Sequence, residues 1–178
     1  MKATEAIYAR RSVRDFTPDV VPESTIRHLI DAAIQAPSAM NSQPWAFSIV
    51  QDVEVLSQIN ARAHELGTGD YESEGSIFYN STTLVVVCAN SRLPHAEWDC
   101  CLAAENLLVS ARDRGVGACT VGSAWKALND PEIKALVGIP EGYQAVIPII
   151  IGFPKEFPPN PGRKPAEILS WKPPTPVG

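Results

Sequence analysis

Three arginines within five residues, in Arg10-Arg11-Ser12-Val13-Arg14-Asp15-Phe16, make up the stretch of this sequence best suited to chemistry. Guanidinium is planar, permanently charged and able to donate paired hydrogen bonds to a phosphate, so arginines at i, i+1 and i+4 can surround a phosphoester from several sides. The plain alternative is a solvated basic surface with Asp15 beside it, because short charge clusters usually lie on exposed faces. A second stretch, Pro37-Ser38-Ala39-Met40-Asn41-Ser42-Gln43-Pro44-Trp45, is bracketed by prolines and filled with small or amide side chains. Ser, Asn and Gln can hydrogen-bond a polar heterocycle while Met and Trp cover its faces, although the same residues also cap turns.

Other chemistries find little support. Cys88, Cys100, Cys101 and Cys119 form no CxxC pair, and His28, His64 and His95 lack metal-ligand spacing, so no metal site is expected. Adjacent cysteines seldom reach disulfide geometry, and Cys100-Cys101 reads as core packing. No Ser/His/Asp or Cys/His set indicates a nucleophile with its base. Gly115 to Gly122 contains Gly-x-Gly without the third glycine, and it follows a helix where a dinucleotide fold requires a strand.

The elements that must position the two stretches can be read in outline. Ala3, Ala6 and Ile7 suggest a short helix over residues 2–9 that ends at the arginines. Ile26, Leu29, Ile30, Ala33 and Ile34 fall at i, i+3, i+4, i+7 and i+8, predicting an amphipathic helix between Pro22 and Pro37. Residues 46–50 read as a strand, and Val53, Leu56, Ile59 and Ala63 as a helix. Residues 64–80, with Gly67, Gly69 and Gly75 among Asp70, Tyr71, Glu72 and Glu74, are either a plain surface loop or a lid near a pocket.

Leu84 to Ala89 is an apolar strand, and residues 95–114 form a long helix that is apolar or small nearly all round at its centre. Such a helix must bury more than one side, which suggests a subunit interface as well as a monomer core. Gly115-Val116-Gly117 stops it, residues 118–121 continue as a strand, and Asp130-Pro131-Glu132 starts a short helix that Gly138 closes. Residues 145–152 supply the last inner strand. Eight of the sixteen prolines lie in the 26 residues from Phe153 onward, which excludes a helix or central strand there. The tail is either disordered or an extended arm laid across another surface.

The bulk numbers agree with one ordinary domain. A chain of 178 residues, 45% hydrophobic and 20% charged, is long enough for a substantial core. A net charge of -5 argues against nucleic acid or an anionic membrane as the main partner, so the basic cluster is local. The N-terminus turns polar at once, and cytoplasmic location is the default expectation.

The RRSVR cluster, the amphipathic helix ending in Ala36-Pro37-Ser38, the Asn41-Ser42-Gln43-Pro44-Trp45 stretch and the Glu105-Asn106-Leu107-Leu108 helix before Gly115-Val116-Gly117 together resemble the nitroreductase family of FMN-dependent oxidoreductases. The resemblance runs from about residue 5 to residue 168. It implies a single α+β domain over residues 1–178, a mostly antiparallel central sheet flanked by helices, with residues 153–178 as a proline-rich C-terminal arm. It further implies an intertwined homodimer with FMN at the subunit interface.

By the same resemblance, Arg10 and Ser12 bind the FMN phosphate and ribityl chain, and Arg163 with Lys164 reaches that phosphate from the tail. Arg11 helps to position backbone or phosphate, and Arg14 lies near the pyrimidine edge of the flavin. Pro37, Ser38, Met40 and Asn41 of the other subunit line the dimethylbenzene side, while the backbone at Val121 and Gly122 approaches N5. NADH or NADPH would supply hydride to the flavin in a ping-pong cycle, with nitroaromatic, quinone or similar electron-poor acceptors, and no side chain needs to be nucleophile or base. Alternatives are a same-fold flavin enzyme that dehydrogenates, dehalogenates or consumes its flavin, and a flavin binder without turnover. One departure concerns the electronics: no lysine occurs between Lys2 and Lys126, so the second cation that many members send toward the flavin is missing.

Overall fold

The structure, a computed structural model, describes residues 1–68 and 75–174. Gly69, Asp70, Tyr71, Glu72 and Glu74 of the expected loop lie outside the described residues. Among the described residues, four strands, β1 (Trp45–Val50), β2 (Thr83–Asn90), β3 (Gly117–Thr120) and β4 (Tyr143–Gly152), form one sheet in the order β1-β2-β4-β3. Every neighbouring pair is antiparallel, and among the described residues six α-helices pack around the sheet: α1 (Ala3–Ala9), α2 (Glu23–Ala33), α3 (Val53–Glu65), α4 (Ala96–Asp113), α5 (Trp125–Leu128) and α6 (Pro131–Leu136). This is the expected α+β architecture.

Alternation along the inner strands sends side chains to two cores. Val85, Val87 and Ala89 of β2, with Ile149 and Ile151 of β4, pack against α2 and α4 through Leu29, Ala33, Cys100, Ala103 and Leu107. Leu84, Val86 and Cys88, with Ala145 and Ile150, face Leu56 and Ile59 of α3, Leu128 of α5 and Ile133 of α6. Each fully buried Leu or Ile contributes about 1.5–3 kcal/mol relative to exposure. Both faces of β2 and β4 are therefore covered, which explains their nearly continuous apolar sequence.

Pro148 stands in β4, an inner strand, where a missing N–H would ordinarily break a ladder. Its carbonyl accepts from Val121 N, so its N–H side points the same way, just where β3 has ended at Thr120. The proline costs no strand pairing there. Val121 itself leaves the ladder, so β3 is one residue shorter at that end than the sequence suggests.

Helix α4 differs from its expectation in a useful way. Ala96, Asp99, Cys100, Ala103, Ala104, Leu107, Leu108 and Ala111 are buried, but Trp98 and Leu102 remain 70% and 48% exposed and Cys101 is exposed. The helix is buried on one broad face, not all round, and the single chain leaves an apolar strip open. Cys100 packs in the core as expected while Cys101 does not, and burial pushes the Cys100 thiol up to about 12. Gly115 at φ +72 ends the helix in the left-handed region and lets Val116 N donate back to Ala111 O.

Candidate active site

The arginine cluster is an extended segment at the sheet edge. After α1 stops at Ala9, Arg10 turns extended, Ser12 bridges Ala118 in parallel, and Val13 N donates to Ala118 O at 3.1 Å. Phe16 bridges Pro154 on the following segment. The chain thus covers the open edge of β3 with basic side chains, an arrangement that the helical reading of residues 2–9 alone does not reveal.

Two glycines permit this docking. A Cβ on Gly117 would stand 2.9 Å from Val13 Cγ1, and one on Gly152 would stand 2.6 Å from the Phe16 ring. Val13 and Phe16 are buried, at 1% and 4% exposure, so neither can swing aside. Absence of a side chain at Gly117 and Gly152 therefore sets how closely the arginines approach the sheet.

Arg10, Arg11, Ser12, Arg14 and Arg163 line one cavity of about 370 Å³, whose remaining wall is Pro158, Pro159 and Pro161. Arg10 pairs with the half-exposed Glu105 of α4 at 3.5 Å. Arg11 donates to the carbonyls of Tyr8 and Arg10, and Arg163 to that of Gly162. Among the described residues, Arg11, Arg14 and Arg163 have no carboxylate partner. Three guanidinium groups around one cavity, without a carboxylate partner among the described residues, suit a dianion. Burial pushes the nearby Cys119 thiol up, although Arg14, Ser12 and Arg10 all pull it the other way. The thiol stays neutral and does not use up their charge.

Arg14 also lines a second cavity, of about 530 Å³, with Gly67, Thr68, Tyr79, Thr120, Val121, Gly122 and Ser123. Its guanidinium sits 5.8 Å from the centre of the Tyr79 ring. Tyr79 and Asn80 hold φ of 52° and 60°, an uncommon conformation for residues with side chains. Space at Gly122 is open, with nothing within 4 Å of where a Cβ would stand. Thr68, Tyr79, Thr120 and Ser123 were not among the residues expected from sequence, and neither were the three prolines. Gly67 and Tyr79 fall in the loop read as either surface or lid, and they do face a cavity.

The proline-bracketed loop forms a third region, apart from both. Pro37, Ser38 and Ala39 line a shallow cavity with His95, Trp98, Asp99 and Leu102 at the start of α4. Ala39–Asn41 is a single 3₁₀ turn in which Met40 and Asn41, followed by Gln43, have positive φ. Ser38 Oγ accepts from Gln43 N, and the buried Asp99 carboxylate accepts from Ala39 N at 3.1 Å. Met40 is 98% exposed. Within one chain, then, Arg10, Arg11, Ser12, Arg14 and Arg163 come together, Arg14 joins Val121 and Gly122, and Pro37, Ser38, Met40 and Asn41 do not join them. Lys164 is exposed and lines neither cavity.

The model of the nitroreductase family matches residues 7–153. This chain belongs to that family. A protein of Archaeoglobus fulgidus provisionally named an NADH dehydrogenase/NAD(P)H nitroreductase is 32% identical over 155 residues, covering 84% of each chain. The 5,6-dimethylbenzimidazole synthase of Rhodospirillum rubrum is 28% identical over 189 residues, covering 92% of this chain and 85% of its own. Among solved structures, a Bacteroides fragilis nitroreductase with bound FMN superposes with a TM-score of 0.83 at 25% identity, over 97% of this chain and all of that one. The nitroreductase fold is thus shared along nearly the whole chain. Among the described residues no helix is long and apolar enough to cross a membrane, and no His, Cys, Asp and Glu cluster could hold a metal ion.

Proposed function

We propose that this nitroreductase-family chain is an FMN-dependent oxidoreductase that takes electrons from NADH or NADPH and passes them to nitroaromatic, quinone or similar electron-poor acceptors. The observation that carries the reading is the pair of cavities joined at Arg14: one basic and proline-walled, the other lined, among the described residues, by Arg14 and uncharged groups. The donor set fits FMN. Arg10, Arg11, Ser12 and Arg163 would hold a phosphate, since Arg11 and Arg163 have no carboxylate partner among the described residues and hydroxyl and guanidinium donors converge on one space. The second cavity suits a planar heterocycle, with open space at Gly122 and, among the described residues, uncharged lining groups apart from Arg14.

When bound, FMN supplies the hydride and electron chemistry. The chain's own residues anchor, orient and bias it. Arg14 presents a fixed positive charge between the two cavities, where it favours negative charge developing on a ring beside it. Backbone at Val121 and Gly122 gives close approach without a bulky side chain. Lys164, exposed and outside the lining of the basic cavity, does not join Arg163 there.

Pro37, Ser38, Met40 and Asn41 would complete the site from a partner subunit, in a homodimer that also covers the open Trp98 and Leu102 strip. The chain would act as one domain in the cytoplasm, with residues 153–178 as an arm. A second reading, the same scaffold running a different flavin reaction, is favoured by the similarity to the Rhodospirillum synthase.

The visible spectrum of the purified protein tests the first step. A yellow protein, or a colourless one that takes up added FMN stoichiometrically, supports flavin binding, and a colourless protein that takes up none overturns it. Anaerobic mixing with NADH and NADPH tests the second. Flavin that stays oxidised with both donors excludes the reductase and leaves the synthase-like or non-catalytic reading.

A further inference from the structure

We propose that Phe157 and Arg112 form a clasp that positions the proline wall of the basic cavity, making Phe157 a positioning residue for phosphate binding; this rests on the flavin reading above. The start of the tail is tied down by backbone. Thr17 N donates to Phe153 O at 2.8 Å, Lys155 N donates to Asp15 O at 3.2 Å, and Lys155 Nζ pairs with Asp15 at 2.8 Å. Beyond Lys155, among the described residues, no backbone hydrogen bond joins the tail to the body. Yet Pro158, Pro159, Pro161 and Arg163 all line the cavity. Something other than the backbone must hold them.

The Phe157 ring fills that gap. The Arg112 guanidinium lies 3.7 Å from its centre, and Phe157 also packs against the core below β4. Arg112 Nε is buried with no hydrogen-bond partner, so the guanidinium has given up water on that side and receives the aromatic face in exchange. A merely solvated arginine would not be left in this state. Between Phe157 and Arg163 lie Pro158, Pro159 and Pro161, whose φ is fixed, with Asn160 and Gly162, the latter at φ +81 and donating its N–H to Asn160 Oδ1 at 3.0 Å in a local turn. A ring fixed at one end therefore limits where Arg163 can stand at the other.

Both walls of the cavity consequently refer to one helix. Arg10 is steadied by Glu105 of α4, and the proline wall by Arg112, two turns further along the same helix. Ordering of the wall before the ligand arrives lowers the conformational cost of binding an anion there. Phe157 touches no ligand in this account. It acts through Pro158 to Arg163.

The test uses the full chain with Phe157→Leu, which keeps apolar volume but removes the aromatic face, and Phe157→Tyr, which keeps both. Arg112→Met removes the charge while preserving the stem, and serves as an independent variant should the leucine protein fold poorly. FMN dissociation constants are read from the quenching of flavin fluorescence. Tryptic cleavage after Arg163 is followed in ligand-free protein. Phe157→Leu and Arg112→Met are expected to weaken FMN binding about tenfold, a change of about 1.4 kcal/mol. Cleavage in the same two proteins should run roughly threefold faster, because the arm opens more often. Phe157→Tyr should match the wild type in both measurements.

Equal FMN affinity in wild type and Phe157→Leu would overturn the clasp and leave the flavin reading intact. A tyrosine variant as impaired as the leucine variant would overturn it too, because ring packing and not the aromatic face would then be at issue. Wild-type protein that binds no FMN overturns both readings together.

Discussion

The cavity walled by Arg10, Arg11, Ser12 and Arg163 and the cavity edged by Tyr79, Thr120 and Gly122 share Arg14 and little else. In the first, charge is concentrated and its holders are indirect: an acidic side chain on α4 and a stiff arm. In the second, Arg14 is the one charged lining residue among those described, and the shape comes from the backbone where β3 ends. On the proposed flavin reading, anchoring and electronic bias would be separable in this molecule. Substitutions on one side should change affinity, and those at the shared arginine should change potential.

The largest expected effect erases the difference by moving both cavities at once. Gly152→Ala would put a methyl group 2.6 Å from the buried Phe16 ring, and the segment carrying every arginine of the cluster would have to shift. Overpacking of this kind costs about 1–3 kcal/mol, and a backbone-anchored ring puts this site at about 3. Thermal or urea unfolding should show that loss together with weakened FMN binding. Gly117→Ala, against Val13, should do the same to a smaller extent. A Gly152→Ala protein with wild-type stability would mean that the arginine segment is free to move.

Next in size is Arg10→Ala, which tests the anchoring side alone. Loss of a charge-assisted hydrogen bond costs about 1.5–3 kcal/mol, so FMN affinity should fall roughly ten- to a hundredfold. The potential of the flavin that still binds should be unchanged. Affinity of the wild type should also fall as ionic strength rises, since the cavity is open to solvent and its charges are screened. An Arg10→Ala protein that retains FMN as tightly as wild type would return the cluster to plain surface charge.

The two cavities were unequally legible in the sequence, and for a physical reason. Periodicity reports what is buried, so Ile26, Leu29 and Ala33 of α2 and the runs of β2 and β4 could be read directly. Chemical type reports charge, so Arg10, Arg11 and Arg14 stood out. Neither reports contacts made across the chain. The Asp99 carboxylate that fixes Ala39 lies 60 residues away, and the Arg112 stack with Phe157 joins a helix to an arm that carries no pattern. Helix α5, only four residues long, has no room for a period. The ring-side cavity is made mainly of such long-range meetings, and Tyr79, Thr120 and Ser123 were therefore missed.

Arg14→Gln separates the two sides most cleanly. Removing the shared cation should lower the potential of bound flavin by about 30 mV or more, the two-electron equivalent of about 1.4 kcal/mol. Reduction by NADH or NADPH should slow accordingly, while FMN affinity falls less than in Arg10→Ala. Potentiometric titration beside a reference dye measures the shift. If Arg14→Gln instead releases the flavin and leaves the potential of the remainder untouched, Arg14 belongs to the anchoring set and the division fails.

The smallest effect comes from Tyr79, which meets that cation from the ring side. At 5.8 Å the stack on Arg14 is at the outer limit of cation–π reach and is worth about 0.5–1 kcal/mol. Tyr79 holds this place at φ 52°, a conformation that the surrounding chain must impose. Tyr79→Leu should shift the flavin potential in the same direction as Arg14→Gln but only by about 10–20 mV, with FMN affinity near wild type. Tyr79→Phe, which keeps the ring, should shift it hardly at all. The double variant decides how the residue acts: when Arg14 is already glutamine, removing Tyr79 should add nothing, because its effect runs through the missing cation. An additive double variant would show instead that the Tyr79 ring acts directly on whatever occupies the second cavity, and Arg14 would no longer be the only link between the two.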